Sequence, residues 1–321
     1  LLKFLEHLSR LNTNILINFL DKDIFSYANV PYEIKDFDQL IEDPKLTINF
    51  DFIKNDKINH LVEAVGTDAK LILTDSNQVY HVNLIEKLLV IVLAKISNFV
   101  PGGGIWLNTQ RPEWNDANNA LVGHGLSMVT VYYLRRFFVY FKSLLFELDK
   151  DNIAISNEVL DWFQGVYTAL NKHRSIMDEK VINPKNRMDI VKDLGTIYSE
   201  YRKQLYNDGF SGKSVIDKDT ILSFMNISIK YIDHTISLNT DENELFHSYN
   251  IINFSENNTQ LEIDHLYEML EGQVAVLGSG YLNSQESIKL LENLYASEMY
   301  RDDQNTFILY PIKKLNSFME K

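Results

Sequence analysis

The chain has 321 residues, 45% hydrophobic and 12% aromatic, enough apolar material for one large domain or two ordinary ones. Its 18 Phe, 17 Tyr and three Trp exclude a disordered chain. Net charge is −13 with no Lys/Arg run, which argues against nucleic-acid and membrane-surface partners, and the absence of cysteine excludes disulfides, thiolate metal sites and cysteine nucleophiles.

Leu1, Leu5, Leu8, Leu11, Ile15 and Phe19 recur at helical spacing, so the chain opens in or at a helix. With no initiator Met and no signal pattern, it reads as a piece of a longer polypeptide, whose remainder is an expected partner. Lack of cysteine suits a reducing, cytoplasmic setting. Residues 1–68 read as a helical and irregular lead-in to one domain over 1–321, with Tyr27–Asp56 irregular around Pro31 and Pro44. Ala69–Val82 has the pattern of a hairpin. Leu84–Phe99 reads as a buried helix, too short and, with Glu86, Lys87 and Lys95, too charged to span a bilayer.

Ala120–Leu148 is apolar on nearly all sides and reads as a long buried helix. Three more amphipathic helices are expected over Asn157–Lys172, Asn183–Tyr206 and Lys218–Leu238. A second hairpin follows over Ser248–Ile263, turning at Glu256–Asn258. The helix Ser284–Met299, a short strand Thr306–Tyr310 and a final helix complete the order. The expected fold is therefore mainly α, an (α/α) toroid of helical hairpins, whole or partial, with inserted β-hairpins. No period of 20–50 residues marks a solenoid.

Glycine is unevenly placed. Five of the 13 fall in Gly102–Gly125 and three in Gly272–Gly280, and both segments are expected at the same end of the helices as binding loops. The first carries Trp106, Asn108, Gln110, Arg111, Glu113, Trp114, Asn115, Asp116 and Asn118. This chemistry fits an oligosaccharide, whose apolar ring face stacks on Trp while amides, Arg and acids pair with its hydroxyls. Glycosidic cleavage needs an acid for the leaving oxygen and, in hydrolysis, a second carboxylate. Glu113 sits between Pro112 and Trp114, an apolar setting that suits the acid, with Asp116 three residues on. The same residues also suit a plainer role, with Asp116 or Asn115 capping a helix and Trp114 in the core.

Glu-Trp-Asn-Asp-Ala-Asn-Asn, from Glu113, resembles the Asp-Trp-Asn-Asp-Gly-Met-Asn type motif of cellobiose-phosphorylase-like enzymes, with Glu in place of Asp and Ala117 in place of Gly. Those enzymes belong with the amylo-α-1,6-glucosidases to the six-hairpin, (α/α)6-toroid glycosidases. The resemblance implies a toroid and implies that Glu113 is the general acid. Ile105–Gly123 and Glu268–Leu277 also resemble segments of large, poorly characterised bacterial proteins.

In the second glycine segment, Glu268 and Glu271 are three apart and would share a helical face; Glu271, beside Gly272, is the favoured base. Gly278-Ser279-Gly280 could hold an oxyanion through its amides, or simply end a helix. Arg301, with Asp302 or Asp303, could clamp sugar hydroxyls. No metal-ligand spacing, Walker sequence or dinucleotide fingerprint occurs, so no metal or cofactor is expected. The expected function is a glycoside hydrolase acting on an oligosaccharide. An inverting phosphorylase is the enzymatic alternative, and a non-catalytic carbohydrate-binding or scaffold domain is the alternative from another class.

Overall fold

A computed structural model describes residues 1–109 and 120–312. Side-chain caps start most of its helices. Asn83, Ser127, Asn183, Asp217 and Asn283 each accept an amide of the first turn, at the heads of α4 (Leu84–Ile96), α5 (Met128–Glu147), α7 (Pro184–Asn207), α8 (Lys218–Ser237) and α10 (Ser284–Ala296). Pro184 occupies the first turn of α7, where a missing N–H costs nothing. The other α-helices among the described residues are α1 (Leu2–Leu20), α2 (Phe37–Glu42), α3 (Phe52–Val65), α6 (Asn157–Lys172) and α9 (Leu270–Leu277). α6 packs along α7, and α5 along α8, so paired helices are present.

They do not make a mainly α toroid. Five antiparallel strands form one curled sheet among the helices, and the fold is mixed α/β. Their order is β3 (Phe99–Val100), β4 (Gly104–Trp106), β5 (Gly125–Ser127), β8 (Tyr249–Phe254) and β9 (Leu261–His265). β6 (Asn152–Ser156) pairs with β7 (Lys213–Asp217), and β1 (Tyr32–Ile34) with β2 (Ile48–Phe50). β10 (Tyr300–Arg301) and β11 (Thr306–Phe307) form a last two-stranded turn.

The toroid expectation failed at residues 120–127. Their apolar character extends the helical pattern of α5 backwards, but Gly123 and Gly125 allow a close backbone approach that places Gly125–Leu126–Ser127 between β4 and β8. The expected irregular stretch Tyr27–Asp56 contains β1, α2 and β2. The expected hairpin over 69–82 is reduced to single bridges, Leu73 with Val79 and Phe25 with Val82. The final helix expected after residue 312 lies outside the described residues.

One hydrophobic cluster joins sheet and helices: Val100, Ile105, Trp106, Leu126, Ile252 and Leu261 pack with Leu89, Phe138, Phe163 and Ile232. Leu5, Leu16, Leu20, Phe37 and Leu40 belong to it, so residues 1–42 share this core. Among the described residues, no helix is long and apolar enough to cross a membrane.

Candidate functional site

The glycosidase-like motif sits in the connection between β4 and β5. Beyond the strands, the Leu107 amide donates to the Gly125 carbonyl at 2.9 Å and the Gly123 amide to the Leu107 carbonyl at 2.7 Å, so the two ends of the connection stay paired as far as Leu107 and Gly123. Gly125 is needed here: a Cβ would lie 2.4 Å from Leu121 Cβ. Gly123, at φ +85°, would put one 2.5 Å from the Pro44 carbonyl oxygen. Gln110, Arg111, Glu113, Trp114, Asn115, Asp116 and Asn118 lie outside the described residues. The expected approach of Glu113 to Glu271 therefore lies outside them too.

Trp106 and Asn108 are described, and both serve the framework. The Trp106 indole is 3% exposed, packs against Phe37 and Phe254, and donates from Nε1 to the Gly123 carbonyl at 3.0 Å. It offers no ring face to a sugar; it ties the loop's return leg to the core. Asn108 is buried, and its Nδ2 donates to Asn98 Oδ1 at 2.6 Å.

The register defines what faces the loop. Directly opposed residues of an antiparallel ladder share a face. Gly125 opposes Ile251, and Ile251 opposes Asp264; one rank nearer the loop, Asn253 opposes Glu262. Leu121 and Leu107 approach Gly125 from this same side. Leu107 and Leu121 thus lie on the outer face of the sheet, the face on which Asn253, Glu262 and Asp264 are exposed. Asn253 Nδ2 donates to Asp264 Oδ2 at 2.7 Å, which orients that carboxylate. Two strand spacings, roughly 10 Å, separate β5 from β9. These three residues were not singled out from the sequence. The signal was the alternation Leu-Glu-Ile-Asp-His, which puts Glu262 and Asp264 on one side of a strand.

Glu271 lies in the first turn of α9, and Tyr249 donates its hydroxyl to Oε2 at 2.8 Å. The carboxylate borders a cavity of about 310 Å³ lined by Val129, Tyr133, Leu270 and Val274. Tyr249 opposes Ser127, at the end of β5 away from the loop root. Gly272 therefore sits at the Gly102–Gly104 end of this ladder, and Gly123 and Gly125 at the other. Glu268 precedes α9, so it does not share a helical face with Glu271.

Gly272 is close-packed, with its amide donating to Ser248 Oγ at 2.7 Å and no room for a Cβ beside that oxygen. Gly278-Ser279-Gly280 ends α9: Ser279 Oγ donates to the Val276 carbonyl, and Arg135 donates to the Ser279 carbonyl at 3.0 Å. Arg301 is forked onto Asp303 at 2.8 and 2.7 Å within the β10–β11 turn, through the Nε–Nη2 edge of its guanidinium. That pairing holds the guanidinium pKa above its ordinary value. Among the described residues, no group of three or more His, Asp or Glu could hold a metal ion. Compared with known proteins, the chain matches no protein-family model and no curated protein.

Proposed function

We propose that this chain acts in acid-assisted cleavage of a glycosidic bond of an oligosaccharide, on the outer face of the β5–β8–β9 ladder. The observation that carries the reading is the shared face: Leu107 and Leu121, at the root of the connection bearing the Glu113 motif, lie on the same side of the sheet as Asn253, Glu262 and Asp264. Glu113 protonates the leaving oxygen as the C–O bond breaks. Asp264, oriented by Asn253, takes a proton from the water that attacks the anomeric carbon. Glu271 is the second candidate base, favoured by its Tyr249 hydrogen bond but set at the far end of the ladder.

Release of reducing sugar from an oligosaccharide panel, with and without inorganic phosphate, tests the reading. Hydrolysis through Asp264 requires Asp264→Asn to lose roughly 10²–10⁴ in turnover, the usual worth of general acid–base catalysis. Glu271→Gln should then stay near the parent rate. The reverse pattern moves the base to Glu271, and turnover only with phosphate makes the enzyme a phosphorylase.

A further inference from the structure

At the end of the ladder away from the loop root, three elements enclose the cavity beside Glu271. Glu271 and Val274 are three apart on α9 and share one side of that helix. Val129 and Tyr133 are four apart on α5 and share a side of that one. The Leu270 amide donates to the Leu309 carbonyl at 2.8 Å, which ties the chain beyond β11 to the start of α9. These side chains line one cavity of about 310 Å³, with Val274 and Leu309, 56% and 46% exposed, at its mouth.

The lining is apolar except for two groups that meet each other. Tyr249 is buried and donates its hydroxyl to Glu271 Oε2 at 2.8 Å, so a neutral donor fixes that oxygen. Glu271 Oε1 has no hydrogen-bond partner among the described residues, and the carboxylate forms no ion pair with them. Lys3, from α1, places its Nζ over the Tyr133 ring at 6.0 Å, so an ammonium is already accommodated against that ring.

A carboxylate among apolar walls is best satisfied by a cation that brings its own apolar surface. A calcium or magnesium ion would need several more oxygen ligands than one carboxylate and one hydroxyl supply. A neutral sugar would need partners around its whole rim, and here the two polar groups are largely spent on each other. An ammonium on a hydrocarbon chain matches both parts. Its N–H groups donate to Oε1, and its methylenes lie against Val129, Leu270, Val274 and Leu309. The volume falls at the low end for small-molecule sites, which suits an amine of about six to eight carbons and leaves no room for a partner helix.

We propose that the Glu271 cavity binds a small primary alkylammonium, with its head on Glu271 Oε1 and its tail in the cleft between α5 and α9. This site stands independently of the reaction proposed for the outer face of the sheet.

Titration of the native chain with n-hexylammonium tests it, followed by NMR shifts at Val129, Tyr133, Leu270 and Val274, beside n-hexanol and hexanoate as probes of equal length. The ammonium should saturate these shifts with a dissociation constant of about 1 mM or below, at least about tenfold tighter than n-hexanol, and hexanoate should not bind. Shortening to n-butylammonium should weaken binding about tenfold, the worth of two buried methylenes. Glu271→Gln keeps an oxygen for Tyr249 and removes the charge, so it should bring n-hexylammonium down to the n-hexanol level and leave n-hexanol unchanged. Equal binding of ammonium and alcohol, shifts still unsaturated at about ten times that concentration, or undiminished ammonium binding in Glu271→Gln would each overturn the proposal. So would binding of Nα-acetyl-lysine amide as tight as that of n-hexylammonium, which would assign the cavity to a lysine side chain of another protein. If the variant does not fold, the charge and length series on the native chain still decides.

Discussion

Two glycine-rich segments look alike in the sequence and do different work in the fold. In the first, Gly104 and Gly123 let backbone lie on backbone, and Gly123 with Gly125 closes the root of the β4–β5 connection. Around Gly272–Gly280, Gly272 seats the first turn of α9 against Ser248, while Gly278 and Gly280 end that helix. Clustered glycine thus marks close approach of main chain. Whether a ligand follows depends on which face the approach leaves open: the first segment shares a face with Glu262 and Asp264, the second borders the Glu271 cavity.

The sharpest way to break this comparison is to add a methyl group to each segment. Gly125→Ala should cost about 3 kcal/mol in denaturant unfolding, because its Cβ would overlap Leu121 in a packed site. Gly278→Ala should change stability by under about 1 kcal/mol, since its φ is −80° and the nearest neighbour would be 3.5 Å away. Equal costs would mean that the two segments are held alike.

Asn250→Leu should rank next, at about 2–3 kcal/mol. It strands the Gly103 carbonyl, Asn239 Oδ1 and His265 Nδ1 in and beside the core. Tyr249→Phe, which removes one hydroxyl donor to Glu271, should cost about 1 kcal/mol. A much larger loss would show that the Glu271 end of the ladder is as tightly specified as the loop end.

Acid should act through His265. Its folded pKa is depressed below the ordinary 6.5, so below that value the unfolded chain binds more protons than the folded one. This contribution to stability is fully present above about 6.5 and is lost as pH falls through the window down to the folded pKa. Thermal unfolding of the parent and of His265→Asn across that window should diverge, with the variant less pH-sensitive. The smallest effect is expected from Arg301→Ala. Its only described salt bridge is to Asp303 across the exposed β10–β11 turn, and neither melting temperature nor turnover should move.

Long amphipathic helices were legible: α6, α7 and α8 fall within a residue or two of their hydrophobic periods. So was the β8–β9 hairpin, because Asn258 at φ +53° supplies its turn. The sheet itself was not. β3, β4 and β5 have two or three residues each, too few to show alternation, and two contain glycine. β6 and β7 pair across an intervening helical hairpin, a contact with no local signature. Trp106 looked like a sugar platform because composition does not say on which side of a strand a ring points. Its position opposite Leu126, facing the core, comes from register alone. Asp264 was hidden for the converse reason: an exposed edge-strand acid is ordinary until a loop is rooted beside it.

Glu113→Gln tests the central claim most directly. Reducing-sugar release from an oligosaccharide panel would be compared for the native chain and the variant, with hydrogen exchange confirming that the sheet is intact. Turnover of natural linkages is expected to fall by roughly 10²–10⁴, and that of activated aryl glycosides much less, because a good leaving group needs little protonation. Equal turnover per folded molecule in the two proteins, or no sugar release by the native chain with or without phosphate, would contradict it.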